Sequence, residues 1–189
     1  MLAETLEGGF ADTPVDAAHA FRAVLTALSR PGTILTAASA APPAPLSRAA
    51  GTVLLTFADH ETPLYLAPGH DTPEIRDWLT FHTGAPVVGP ETAVFALGDW
   101  ASLAPLDRYG IGTPEYPDRS ATLIVEVDTL TDTGARLTGP GIETAASLSL
   151  PEIEAFRRNR ALFPLGLDFI FTCGDRLAGL PRSTIVEAV

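Results

Sequence analysis

Apolar residues recur along this chain with two periods, three-to-four and two. Ala18, Phe21, Val24, Leu25 and Leu28 follow the helical period. Thr13, Pro14 and Asp16 just ahead of them make a helix start, with threonine as the N-cap and proline in the first turn. Arg-Pro-Gly at 30–32 ends that helix, "TILT" (33–36) reads as a short strand, and a loop rich in alanine and proline follows. "GTVLLTFAD" (51–59) reads as a buried strand closed by an aspartate. "TPEIRDWLTFHTG" (72–84) repeats the Thr-Pro start, carries Ile75, Trp78 and Leu79 on one face and stops at Gly84. "TAVFALGD" (92–99) and "SATLIVEV" (120–127) are strands, and "TDTG" (131–134) turns the latter into a hairpin with "ARLTG". The last helix is expected from Ser149, with Glu152 completing a capping box and Ile153 and Phe156 facing inward, and it ends before Pro164. "LGLDFIFT" (165–172) is the final core strand. Helices alternating with strands, plus a hairpin, predict an α/β sandwich around a mixed sheet in a single domain over 1–189.

Composition narrows the function. Hydrophobic residues make up 46% of 189, enough for a sizeable core. All twelve basic residues are arginines. Without lysine the chain can build neither a P-loop nor the Schiff base of a pyridoxal phosphate enzyme. One cysteine, Cys173, rules out an internal disulfide and a cysteine-cluster metal site, which fits a cytoplasmic protein. The net charge of −11 disfavours nucleic acid and anionic membranes as partners and permits a basic protein. "MLAETLEGGF" (1–10) lacks the basic start and apolar core of a secretory leader. The longest uncharged stretch, 31–47, contains four prolines and cannot span a membrane.

Few residues carry recognisable chemistry. His19, His60, His70 and His82 fall in four elements without metal-ligand spacing, so no metal site is expected. Cys173 reads as a small core residue, and "GPG" (139–141) as a turn; "GIG" (110–112) is a phosphate-loop fragment without the strand-to-helix context. Asp168 interrupts an apolar strand, on the face opposite Leu167 and Phe169. It needs an arginine or several backbone donors, and a structural pair is favoured over a catalytic acid. "GTPEYPDRSATLIVEV" (112–127) sets a stiff turn against a core strand. Pro114 and Pro117 restrict the backbone around Glu115, Tyr116, Asp118 and Arg119. Two readings stand side by side: a rigid turn whose charges pair among themselves, or an aromatic and arginine anchor for a partner or anion.

Five blocks resemble the PhnH family of the bacterial carbon–phosphorus lyase system: "AFRAVLTALSRPG" (20–32), 112–127, "LTGPGI" (137–142), "NRALFPLGLDFIFT" (159–172) and "LAGLPRST" (177–184). The resemblance implies a three-layer α/β/α fold similar to the large domain of pyridoxal phosphate-dependent transferases, without that cofactor. It also implies a homodimer in a core assembly with PhnG, PhnI and PhnJ. With PhnG, PhnI and the ATPase-like PhnL, such a subunit is needed to couple methylphosphonate to ATP, displacing adenine to give ribose 1-methylphosphonate 5-triphosphate. PhnJ, a radical SAM iron–sulfur protein, later cleaves the C–P bond. No catalytic residue is carried over. Arg30, Arg157, Asn159, Arg160 and Arg182 lie in the matching blocks and join the turn as candidates for binding phosphonate or triphosphate. The function expected is an accessory subunit; the alternative is a stand-alone binding protein or transferase for a phosphonate or nucleotide.

Overall fold

The computed structural model describes residues 6–189. Half of the stretch read as lacking a leader, residues 1–5, therefore lies outside the described residues. Helix α1 (Thr13–Ser29) starts one residue earlier than the sequence suggests: Asp12, not Thr13, is the N-cap and accepts the Val15 N–H. Strand β1 (Ile34–Thr36) follows. The segment expected as a buried strand is instead helix α2 (Arg48–Phe57), capped by the Ser47 hydroxyl. Its residues 49–54 are all buried, so it is apolar on every side and periodicity could not separate helix from strand. After β2 (Leu64–Leu66), helix α3 (Pro73–His82) forms as expected, with Thr72 as cap and Ile75, Trp78 and Leu79 buried.

Strand β3 (Phe95–Asp99) runs into a single turn, α4 (Trp100–Leu103), and β4 (Thr122–Glu126) follows. The expected hairpin between "SATLIVEV" and "ARLTG" does not exist. Both edges of β4 are occupied, by β3 on one side and β7 (Asp168–Cys173) on the other. The chain instead crosses over buried Leu130 to a second sheet, where β5 (Ala135–Thr138) lies between β6 (Ala146–Leu148) and β9 (Ile185–Glu187). Helix α5 (Ile153–Ala161) begins later than expected and without a capping box. Glu152 takes the N-cap position but makes no capping bond, while the Ser149 hydroxyl accepts the Thr131 N–H at 2.9 Å. Nor is β7 the final strand, because β8 (Arg176–Leu180) turns straight back along it and β9 follows.

The main sheet is mixed, in the order β1-β8-β7-β4-β3-β2, with β2, β3, β4 and β7 parallel and β8 and β1 antiparallel to their neighbours. Alternation along each strand sorts side chains to its two faces. Leu97, Ile124, Ile170 and Leu177 pack with Val24, Val53 and Trp78 under α1, α2 and α3. Leu123, Val125, Phe169 and Phe171 pack with Phe156 of α5 and with Leu137, Leu148 and Val186 of the small sheet. One covering layer is therefore helical, and the other combines a helix with three strands. Helix α1 lies close to the sheet because it turns Ala20, Val24 and Ala27 inward. Gly179 permits that approach: a Cβ there would sit 2.8 Å from the Ala27 carbonyl and the Leu28 nitrogen. Phe21 and Leu25, which share the helical period with Val24, are 50% and 55% exposed. Among the described residues no helix is long and apolar enough to cross a membrane.

Candidate functional site

The stiff turn before β4 is held by its own backbone. Thr113 and Tyr116 exchange N–H···O bonds of 3.1 Å, and the Arg119 N–H reaches the Tyr116 carbonyl at 3.2 Å. Gly112 adopts φ +82°, and a side chain there would strike Pro117. Glu115, Tyr116, Asp118 and Arg119 all point outward. The Arg119 guanidinium lies 4.1 Å from the centroid of the Tyr116 ring, a cation–π pair on the surface. The structure thus presents an aromatic and a cation together on a restricted loop.

One side chain anchors this loop to the core. Arg182, just beyond β8, donates from Nη1 to the Pro117 carbonyl at 2.7 Å and from Nη2 to the Ser120 hydroxyl. Its Nε and Nη2 grip the Asp168 carboxylate at 3.2 and 2.5 Å, and its backbone N–H adds a 2.8 Å bond to the same carboxylate. The pair is largely enclosed, with side-chain exposures of 12% for Arg182 and 24% for Asp168. Asp168 is therefore the paired structural carboxylate its sequence position suggested. Arg182, by contrast, is not an exposed ligand arginine: three segments, 117–120, Asp168 and Arg182, are tied by its guanidinium.

The other candidates are not gathered into one pocket. Asn159 is a clamp, its amide donating to the Leu167 carbonyl at 2.9 Å and accepting the Leu167 N–H at 2.8 Å. Arg157 donates to the Val186 carbonyl at 3.1 Å and to Glu154 at 2.6 Å, fixing β9 against α5. Arg160 lies over the Phe163 ring, 4.7 Å from its centroid. Arg30 is an exposed residue at the C-terminal end of α1, on an element of the opposite layer. His19 and His60 are exposed, His70 is buried, and the His82 ring bonds the Leu6 carbonyl at 3.0 Å. Cys173 is half-buried at the end of β7.

Two concavities flank Trp100. A groove of about 610 Å³ runs between α5 and the 104–111 segment, lined by Trp100, Leu106, Tyr109, Ile111, Ala155 and Leu162. Its polar groups, Asp107, Glu152, Arg158 and Asn159, are already partly matched, since Arg158 donates to Glu152 at 3.3 Å and Asn159 is bonded to the Leu167 backbone. Burial is the larger influence on Tyr109 and pushes its phenol above the ordinary range, while the bond from Arg108 pulls it back. The second is a crevice of about 410 Å³ at the C-terminal ends of β3 and β4, where sheets of this kind usually receive ligands. It is lined by three carboxylates, Asp99, Glu126 and Asp128. Asp99 caps α4, and Glu126 accepts the Ser47 N–H at 2.7 Å and the Thr172 hydroxyl at 2.9 Å. Sequence reasoning passed over Trp100 and Tyr109 and read Glu152 only as a cap. The signal for Trp100 was an aromatic just after a strand-ending aspartate, too common to select, and Tyr109 had none.

The family model for the bacterial phosphonate metabolism protein PhnH matches residues 8–187. The chain belongs to the PhnH family. It is 41% identical over 192 residues to the alpha-D-ribose 1-methylphosphonate 5-triphosphate synthase subunit PhnH of Rhizobium meliloti (strain 1021), covering 95% of this chain and 94% of that one. It is also 31% identical over 201 residues to a putative C-P lyase subunit protein, HtxG, of Stutzerimonas stutzeri, covering 96% of each. Within the PhnH family match fall the turn, the Arg182 anchor and both concavities.

Proposed function

We propose that the chain is an accessory subunit of the carbon–phosphorus lyase pathway, acting in the synthase that couples methylphosphonate to ATP to give ribose 1-methylphosphonate 5-triphosphate. It acts there with PhnG, PhnI and PhnL, and with PhnJ in the core assembly, as a cytoplasmic homodimer that has no resident cofactor. The observation that carries this reading is the likeness, over 95% of the chain, to a protein named as a subunit of that synthase. The site's chemistry agrees. Arg182 is engaged inside the fold, Arg157 is held at the surface by Glu154 and the Val186 carbonyl, and the crevice at the strand ends is acidic. None of this favours a triphosphate. What the chain offers is a rigid surface, with Tyr116 and Arg119 outermost, for a neighbouring subunit or for a pocket completed by one.

Reconstituting the coupling reaction from purified subunits tests this. Omitting the chain should abolish turnover. Arg119→Ala should lower it about tenfold or more, as loss of an interface arginine does, with thermal stability unchanged. Full turnover without the chain refutes the reading. The apolar groove of about 610 Å³ favours a second reading, a stand-alone ligand-binding protein. Calorimetry at low salt separates the two: saturable binding of ATP or methylphosphonate by the isolated chain supports the second, and flat titrations support the first.

A further inference from the structure

Helix α5 uses two faces for different ends. Phe156 packs into the core, its ring 4.9 Å from that of Trp100 and 5.0 Å from that of Phe169. Ala155, Asn159 and Leu162 recur at helical spacing on a second face and line the groove of about 610 Å³. The middle of that wall is an alanine, 5% exposed, so the volume a larger side chain would fill stays open. The lining is fixed from within. Asn159 clamps the Leu167 backbone, the Tyr109 hydroxyl donates to the Leu103 carbonyl at 3.0 Å, and Trp100 rests against Phe156 and Phe169. A concavity already held in shape loses little freedom on being filled.

Apolar surface continues beyond the groove. Leu162, which lines it, is 46% exposed, and Phe163 beside it is 49% exposed, with Arg160 against its ring. The chain then returns to the groove's other wall, where the Gly166 N–H bonds the Ile111 carbonyl at 3.1 Å. Ile111 in turn bridges Ser120, at the base of the turn that carries Tyr116 and Arg119. Main-chain bonds thus hold groove, helix end and turn next to one another. A small ligand would fill the groove and leave Leu162 and Phe163 in water; a polypeptide segment laid along it would cover both. Charge selects among segments. Arg158 is the one cation in the groove's lining and is held by Glu152, so the exposed Asp107 carboxylate is unmatched there. Glu152 keeps capacity as well, because its bonds from Trp100 and Arg158 are long, at 3.4 and 3.3 Å. Both carboxylates stand on a chain of net charge −11, whose field steers a basic partner towards them.

We infer that the α5 groove seats a chain segment from a different subunit of the synthase, an apolar segment whose lysine or arginine meets Asp107 and Glu152. This rests on the accessory-subunit reading and adds where the neighbour is held and which side chains it brings. The measurement is fluorescence anisotropy of the labelled chain titrated with the remaining synthase subunits. Leu162→Ser with Phe163→Ser should raise Kd about tenfold or more, as loss of apolar anchors does. Because those changes lie at a helix end, an exposed charge supplies an independent arm. Asp107→Arg should raise Kd about tenfold at low salt and much less at high salt, a dependence that a packing defect would not produce. Both variants should keep the wild-type unfolding midpoint. A Kd within about twofold of wild type for either variant overturns the groove as the seat, and the accessory role still stands if reconstituted turnover needs the chain. Saturable binding of ATP or methylphosphonate by the isolated chain, lost on Ala155→Phe, also overturns it and gives the groove to a small ligand. A wild-type chain that binds none of the remaining subunits overturns this inference and the accessory reading together.

Discussion

Replacing Arg182 by alanine removes the partner of three acceptors at once: the Asp168 carboxylate, the Pro117 carbonyl and the Ser120 hydroxyl. The two neutral acceptors account for about 0.5–1.5 kcal/mol each. Breaking a fully buried ion pair from one side costs about 3–5 kcal/mol, because the surviving charge is left without compensation. Asp168 escapes part of that penalty, since it keeps 24% of its side-chain exposure and the backbone N–H of residue 182. The expected sum is therefore about 3 kcal/mol. At about 2–4 °C per kcal/mol for a chain of this size, the unfolding midpoint should fall by about 6–12 °C. Thermal denaturation followed by circular dichroism measures this. Trypsin supplies the local readout, since the bond after Arg119 lies in the turn that Arg182 anchors, and it should be cut faster in the variant. Asp168→Leu combined with Arg182→Met discriminates further. It removes both charges and should destabilise less than Arg182→Ala alone, as replacement of buried pairs by apolar residues does. A midpoint within the shift expected for one kcal/mol, or a double variant as unstable as the sum of its parts, would refute the claim that this pair fixes the turn.

Other expectations follow from close packing and from perturbed groups. Gly179→Val pushes carbon into the α1 backbone and should cost about 1–3 kcal/mol or more in denaturant unfolding; Gly110→Ala, with open space around it, should change stability by less than about 0.5 kcal/mol. Tyr109 should ionise above the ordinary tyrosine value in an alkaline absorbance titration, because burial raises its phenol. The sign follows: its contribution is complete below the ordinary value of 10.0 and is lost as pH rises through the raised folded value. Asp71 is held below its ordinary 3.8, first by the hydrogen bond from Arg76. Its contribution is present above that value and fades as acid takes the pH down through the folded one, and Arg76→Ala should return the carboxyl, followed by NMR titration, towards 3.8.

The legible parts of this fold were those with one dry face. In α3 the Thr72 cap and the Ile75, Trp78 and Leu79 stripe were both local signals, and both proved correct. The 51–57 run failed because burial on all sides erases the period. The hairpin failed because pairing is a long-range property: nothing near 131–134 tells that β7 occupies the free edge of β4. The site followed the same logic. That Asp168 needed a cation could be read from one strand, but its partner lay 14 residues away in a segment whose own sequence, Pro-Arg-Ser-Thr, fitted a ligand arginine equally well. The turn was legible because proline restricts the backbone locally. The outward stance of Phe21 and Leu25 was not, since spacing gives a helix's apolar positions without saying which side is covered.

The distribution of charge bears on where the phosphate-bearing substrate of the proposed reaction is held. Parallel strands end at a crevice where a helix N-terminus and backbone amides would ordinarily receive an anion. Here Asp99 occupies the N-terminus of α4, Glu126 occupies the Ser47 amide at the start of α2, and Asp128 adds a third carboxylate. An internal carboxylate already bound to a helix-start amide leaves that amide unavailable to a phosphate and repels it as well. A triphosphate would thus meet three negative groups where the fold is otherwise best suited to hold it. Arg182, Arg157 and Arg48 are committed to partners within the chain, Arg119 is exposed on the turn, and Arg22, Arg30 and Arg176 are exposed on other elements, none of them lining the crevice. If the proposed role is correct, the phosphates must be gripped mainly by another subunit, with Arg119 the one cation of the turn free to reach across. Glu126→Gln sharpens the point. If the crevice is only structural, the variant should leave coupling in the reconstituted synthase unchanged; a gain in triphosphate affinity on removing that charge would place the nucleotide at this crevice and overturn the argument.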